Sequence, residues 1–167
     1  MRFYFEMQNF GENMEIYTVA FFGHREVDNL YKLEEELDEQ VRSLLGEKEF
    51  VEFLVGRNGE FDLTVARVVR RIKSYYRDDN SALILVLPYL TAEYLNNQES
   101  FENYNDDVTV YSGINTHPKG AIQARNREMV DMADLVICYL EYDYGGAYQS
   151  VKYAKNKGKV VINLAEI

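Results

Sequence analysis

The sequence predicts a single α/β domain of the Rossmann-like, doubly wound type, with a mainly parallel open sheet and helices on both faces. Three observations predict it. Short, predominantly apolar runs recur, as strands buried on both faces require. Longer stretches between them repeat their apolar residues at helical spacing. The two kinds alternate along the chain, which implies parallel strands joined by right-handed helical crossovers.

Each element follows in order. Residues 1–14 (MRFYFEMQNFGENM) fit neither pattern and read as an N-terminal extension, with the domain proper spanning 15–167. That extension is either a flexible arm or a segment whose Phe3, Tyr4 and Phe5 pack against a neighbour. Ile16–Phe22 (IYTVAFF) is a buried strand ending in Gly-His-Arg. Leu30, Leu33, Leu37, Val41 and Leu44 then mark one face of a helix. Phe50–Val55 is the second strand, closed by Gly56-Arg57-Asn58-Gly59, and Phe61, Val65, Val68, Val69 and Ile72 line the next helix.

Ser81–Leu87 is the third strand, stopped by Pro88. Residues 89–107 are acidic, aromatic and Asn-rich, and read as a lid whose Tyr89, Tyr94, Phe101 and Tyr104 stack on a base, or as a dimer contact. Val108–Tyr111 is a short fourth strand. Ala121–Met132 is a helix with Met129 and Met132 toward the core. Leu135–Leu140, a helix over Ala147–Lys157 and a last strand over Val160–Leu164 complete the chain.

Composition narrows the partners. A length of 167 residues fits one domain with a substantial core. The net charge of −10, with no compensating Lys/Arg stripe, predicts no nucleic-acid partner. A small anion remains compatible, because local donors outweigh a distant, screened field. No apolar stretch approaches the roughly 18–20 residues of a membrane span, and the amino terminus has no signal-peptide pattern, so no membrane partner and a cytoplasmic location are expected. The one cysteine, Cys138, lies in an apolar run and reads as a buried, inert thiol. His24 and His117 have no ligand-type spacing, so no metal site is expected. The 14 tyrosines point either to a self-association surface, hence a homo-oligomer, or to a base-stacking pocket.

Open parallel sheets bind ligands at the carboxyl ends of their strands, where the strand order switches. Three loops are predicted to gather there: Gly23-His24-Arg25, Gly56-Arg57-Asn58-Gly59 and Gly145-Gly146. Glycine lets backbone amides approach an anion, and a helix amino terminus adds partial positive charge. Arg25 and His24 can add charge-assisted hydrogen bonds. Arg125, Asn126 and Arg127 either grip a phosphate or form a solvated helix face. Asp62 fits ribose binding or helix capping; Asp131 and Asp134 read as helix-end residues. None of the loops matches the dinucleotide fingerprint or the P-loop, so no cofactor is expected.

At these residues the sequence resembles the SLOG superfamily, named for its Smf/DprA and LOG members, and within it the small YpsA-like branch. The matching pieces are FFGHR (21–25), GEFD (59–62), LPY (87–89), RNREMVDMADLVI (125–137) and GGAYQSVKYA (145–154), in the family order. The resemblance implies a Rossmann-like fold with a nucleotide-associated pocket. LOG enzymes release a base from a nucleoside 5′-monophosphate with an arginine and a PGGxGTxxE motif. Arg125 matches that arginine, and Gly145 and Gly146 match the glycine pair. Lys152 stands where the catalytic glutamate is expected. An ammonium there reverses the charge beside a developing oxocarbenium ion. The expectation is therefore a module that senses or sequesters a nucleotide-like small molecule through Gly23, His24, Arg25, Gly56, Asn58, Asp62, Arg125, Asn126, Gly145 and Gly146. The alternatives are a LOG-type nucleoside-phosphate glycosidase using Asp62 or another acid, and a protein-interaction scaffold.

Overall fold

A computed structural model of the protein describes residues 14–111, 113 and 117–167. The expected arm over residues 1–14 thus lies almost wholly outside the described residues.

Six strands form one all-parallel sheet in the order β4-β3-β2-β1-β5-β6. They are β1 (Ile16–Gly23), β2 (Phe50–Val55), β3 (Ser81–Leu87), β4 (Asp107–Val110), β5 (Leu135–Tyr139) and β6 (Val160–Asn163). Every residue of β2, β3 and β5 is buried, Glu52 of β2 included, which explains their predominantly apolar sequences. β4 and β6 form the two edges and are only partly covered.

Strand alternation divides the core between the two faces. Val19 and Phe21 belong to one cluster, and Ala20 and Phe22 to the other. The first face is covered by α1 (Leu30–Glu47), α2 (Glu60–Tyr75) and a closing 3₁₀ turn (Leu164–Glu166). Leu33, Leu37, Val41 and Leu44 of α1 meet Phe61, Val65, Val68, Val69 and Ile72 of α2 in that cluster. The Asn29 side chain caps α1 by accepting from the Lys32 amide at 3.0 Å. The second face is covered by α5 (Pro118–Met132) and α6 (Gly146–Asn156), through Met129, Val130, Ala133, Val151 and Ala154.

Two expectations change. Residues 89–107 fold mainly into two short helices, α3 (Ala92–Asn96) and α4 (Gln98–Tyr104), with the Thr91 hydroxyl accepting from the Tyr94 amide at 3.1 Å. Tyr94 and Phe101 are buried and meet edge to face with centroids 5.5 Å apart, so they extend the core and cannot form a base-stacking lid. Met129 is buried as expected, but Met132 is 45% exposed because the last turn of α5 carries it beyond the sheet.

The chain runs outward from β1 through β4 on one side, then returns to place β5 on the other side of β1. The switch in order therefore lies at β1, and the loops after β1 and β5 diverge around a crevice. Asp134 pins this junction: its carboxylate accepts from the Thr18 amide at 2.8 Å, and its own amide donates to the Thr18 carbonyl at 2.8 Å. Among the described residues, no helix is long and apolar enough to cross a membrane.

Candidate functional site

A pocket of about 380 Å³ opens at that crevice, within the size range of small-ligand sites. It brings together all ten residues singled out from the sequence: Gly23, His24, Arg25, Gly56, Asn58, Asp62, Arg125, Asn126, Gly145 and Gly146. Phe21, Phe22, Ile122, Gln123, Met129 and Tyr142 complete much of the remaining wall.

Two glycine-capped helices begin at this wall, α2 after Gly59 and α6 after Gly145, and neither cap makes a side-chain hydrogen bond. Gly145 has φ 94°, a left-handed conformation that favours glycine. The first helical bond of α6 joins the Gln149 amide to the Gly145 carbonyl at 3.1 Å. The amides of Gly146, Ala147 and Tyr148 therefore precede the helical ladder and give this end its positive partial charge. At Gly59 the reason for glycine is proximity. A Cβ there would lie 2.4 Å from the Arg25 Cα, because the Glu60 amide donates to the Arg25 carbonyl at 2.8 Å. The Glu60 carboxylate also accepts from the Val27 amide at 2.8 Å, so the first two loops are joined at Arg25 and again at Val27.

The floor is built on Arg125. This buried side chain donates from Nη1 to the Val86 carbonyl at 3.1 Å, and from Nε and Nη2 to Asn126 Oδ1 at 3.1 and 2.9 Å. Asn126 is therefore a positioning residue that orients the guanidinium. Asp62 accepts from the Asn58 amide at 2.9 Å and interacts electrostatically with Arg125. Gly56 allows this pair to approach: a Cβ would meet Asp62 Oδ2 at 3.0 Å and Arg125 Nη1 at 3.2 Å. Burial raises the Asp62 pKa above the ordinary aspartate value, opposed by the Asn58 amide and Arg125. Burial also lowers Arg125, opposed by Asp62. For each partner desolvation is the larger effect, so the pair's mutual attraction does not offset it.

The cations separate into distinct environments. Arg25 is exposed on the pocket rim and makes no ion pair among the described residues. Arg57 instead pairs with Glu93 at 3.0 Å and lies over Phe101. Arg127 lies over Tyr153 in a separate groove, so of the two arginines in the Arg-Asn-Arg sequence only Arg125 reaches the pocket. Lys152 lines another depression with Glu141 and Lys155, and the ammonium does not enter this pocket.

His24 has a different part from the one expected. It is buried, and Nε2 accepts from the Glu141 amide at 3.1 Å. Burial lowers its pKa, against the opposing effect of Glu141. Its ring stacks on Tyr142 at 3.6 Å and 8°, and Tyr142 stacks on Tyr144 at 4.2 Å and 25°. Sequence reasoning sought the aromatic contacts in residues 89–107 and missed this stack. The available signal was YDY directly between the fifth strand and the Gly145-Gly146 pair.

Fold and crevice together define an open, doubly wound α/β protein with a glycine-lined pocket at its strand switch. No protein-family model matches the sequence, and neither does any curated protein. Solved structures do match in fold. DNA processing protein A (DprA) from Streptococcus pneumoniae has a TM-score of 0.60 at 16% identity, over 87% of this chain and 49% of that one. DprA from Helicobacter pylori has a TM-score of 0.62 at 17% identity, over 87% of this chain and 63% of that one. This chain thus spans about half to three-fifths of the proteins it matches. The Rossmann-like fold implied by the superfamily resemblance is present, and the neighbours are DprA proteins.

These neighbours correct the expectation of a small-molecule nucleotide ligand with no nucleic-acid partner. The H. pylori structure concerns the single-stranded DNA binding mode of that protein. The charge argument does not exclude such a partner, for a physical reason. A net charge of −10 sums the whole chain, whereas screening over about 8 Å at physiological ionic strength gives nearby groups most weight. At the pocket those groups include Arg25, Arg125 and the amino end of α6.

Proposed function

We propose that this chain is a single-stranded nucleic-acid-binding module whose strand-end pocket holds a backbone phosphate. The observation that carries this reading is the convergence of Arg25, Arg125 and the glycine-capped end of α6 on one crevice. Gly23, Gly56, Asn58 and Gly146 shape the wall around the phosphate, while Asp62 and Asn126 hold Arg125 in place. The single-stranded DNA binding mode reported for the H. pylori neighbour supports the polymer over a free nucleotide. A single strand also fits the geometry better than a duplex, because its bases are available to contact the aromatic wall. Within the superfamily we assign the chain to the YpsA-like branch, on the ordered FFGHR, GEFD, LPY and GGAYQSVKYA segments, and place it in the cytoplasm.

Fluorescence anisotropy of a short labelled oligothymidine tests the proposal. The expected dissociation constant is on the order of 10⁻⁵ M at physiological salt, in the range of sequence-independent binding. One or two engaged phosphates give a shallow log–log salt slope of about −0.7 to −1.4. Arg25→Ala should weaken binding, and a duplex of matching length should bind less well. No anisotropy change up to about 10⁻³ M protein, well above that binding range, would refute the reading.

A further inference from the structure

We infer that the His24–Tyr142–Tyr144 stack is a prebuilt platform for an unstacked nucleobase, received on the outer face of Tyr144 from the strand whose phosphate occupies the adjoining pocket. The inference rests on the phosphate reading above and names how a base beside that phosphate is held.

The stack runs from the protein interior toward solvent. His24 is its fixed end, 4% exposed and held by the Glu141 amide. Tyr142 is 39% exposed and lines the pocket, while Tyr144 is 67% exposed at the outer end. The interplanar angles of 8° and 25° keep successive ring faces nearly parallel. Most of the ordering of Tyr142 and Tyr144 has therefore occurred before a ligand arrives, which lowers the entropic cost of stacking another ring. Gly145 follows Tyr144 directly and opens α6, so the platform adjoins the amides assigned to phosphate.

Charge separates the two subsites. Burial raises the Tyr142 hydroxyl pKa, and Tyr144, Glu26, Glu141 and Asp28 act electrostatically in the same direction. That acidic surround disfavours a second phosphate at the stack but leaves an uncharged base free to bind. Stacking accepts any base, because every base presents a π face. The platform therefore contributes affinity for unpaired strands without reading sequence.

Paired oligonucleotides of equal length, one oligothymidine and one carrying abasic positions on the same backbone, test this by anisotropy. The protein should bind the base-bearing strand about tenfold or more tightly. Tyr144→Ala should remove that preference, while Tyr144→Phe should keep it. The chain has no tryptophan, so Tyr144→Trp supplies a sole indole whose emission the base-bearing strand should quench and the abasic strand should not. Equal wild-type binding of both strands, or full discrimination by Tyr144→Ala, overturns the platform and leaves phosphate binding standing. Binding of neither strand overturns both readings.

Discussion

Gly59→Ala isolates the joint between the first two pocket loops. The added Cβ would stand 2.4 Å from the Arg25 Cα and 2.9 Å from its carbonyl oxygen. Restoring a 3.4 Å separation from the Cα requires a retreat of about 1 Å. That movement opens the 2.8 Å bond from the Glu60 amide to the Arg25 carbonyl and strains the bond from the Val27 amide to the Glu60 carboxylate. Gly59 itself is extended, with φ 172°, so the cost is contact and lost hydrogen bonding rather than backbone conformation. Overpacking and the weakened bonds together predict a loss of about 1–3 kcal/mol, or a fall in Tm of roughly 2–12 °C for a domain of this size. Gly46→Ala provides the opposing comparison: it lies in α1, and the nearest group its Cβ would meet from outside that helix is the Tyr76 hydroxyl at 3.8 Å. There the same change should stabilise by about 0.5–1 kcal/mol, by reducing the freedom of the unfolded chain. Thermal unfolding followed by circular dichroism compares the two. An unchanged Tm for Gly59→Ala, or shifts of the same sign in both variants, would refute the reasoning.

Three further outcomes follow from the site. Arg125→Met removes the bonds to Val86 and Asn126 and leaves the Asp62 carboxylate without its cation, so urea unfolding should show a loss of about 3–5 kcal/mol; a loss below about 1 kcal/mol, within the range of a surface pair, would argue against a buried role. Because burial raises the Asp62 pKa, its contribution is fully present below the ordinary value of 3.8 and is lost as pH rises through the raised value. The stability of the wild type relative to Asp62→Asn should therefore decline across that interval, and a pH-independent difference would contradict the assignment. Burial pushes the Cys138 thiol up to about 12, so a thiol reagent should label the native protein negligibly and the urea-unfolded protein fully; rapid native labelling would place the thiol at the surface.

Local patterning along the chain was enough to set the layers of this protein and the neighbourhood of its pocket. The predominantly apolar runs at β2, β3 and β5 could be satisfied only by burial on both faces. The apolar stripes of α1 and α2 supplied the matching cover on one side. Once the elements were known to alternate, the strand-end rule placed Gly23, Gly56 and Gly145 at one edge, where the pocket brings them together. These are consequences of local periodicity and of glycine's small size, both legible along one dimension.

Which neighbours in sequence share an environment emerges from the packing of the folded chain. Arg125 and Arg127 are two residues apart on one helix, yet one enters the pocket and the other covers Tyr153, because successive side chains diverge around the helix axis. Tyr94 and Phe101 looked available for a ligand, but packing turned both into the core. His24 met Tyr142 across more than a hundred residues through the pairing of β1 with β5, a contact with no local signature. Net charge carries none of this information, because it discards distance, and electrostatic influence falls with distance and screening. The sequence could place donors near one another, but folding alone determined which charges and rings face the same space.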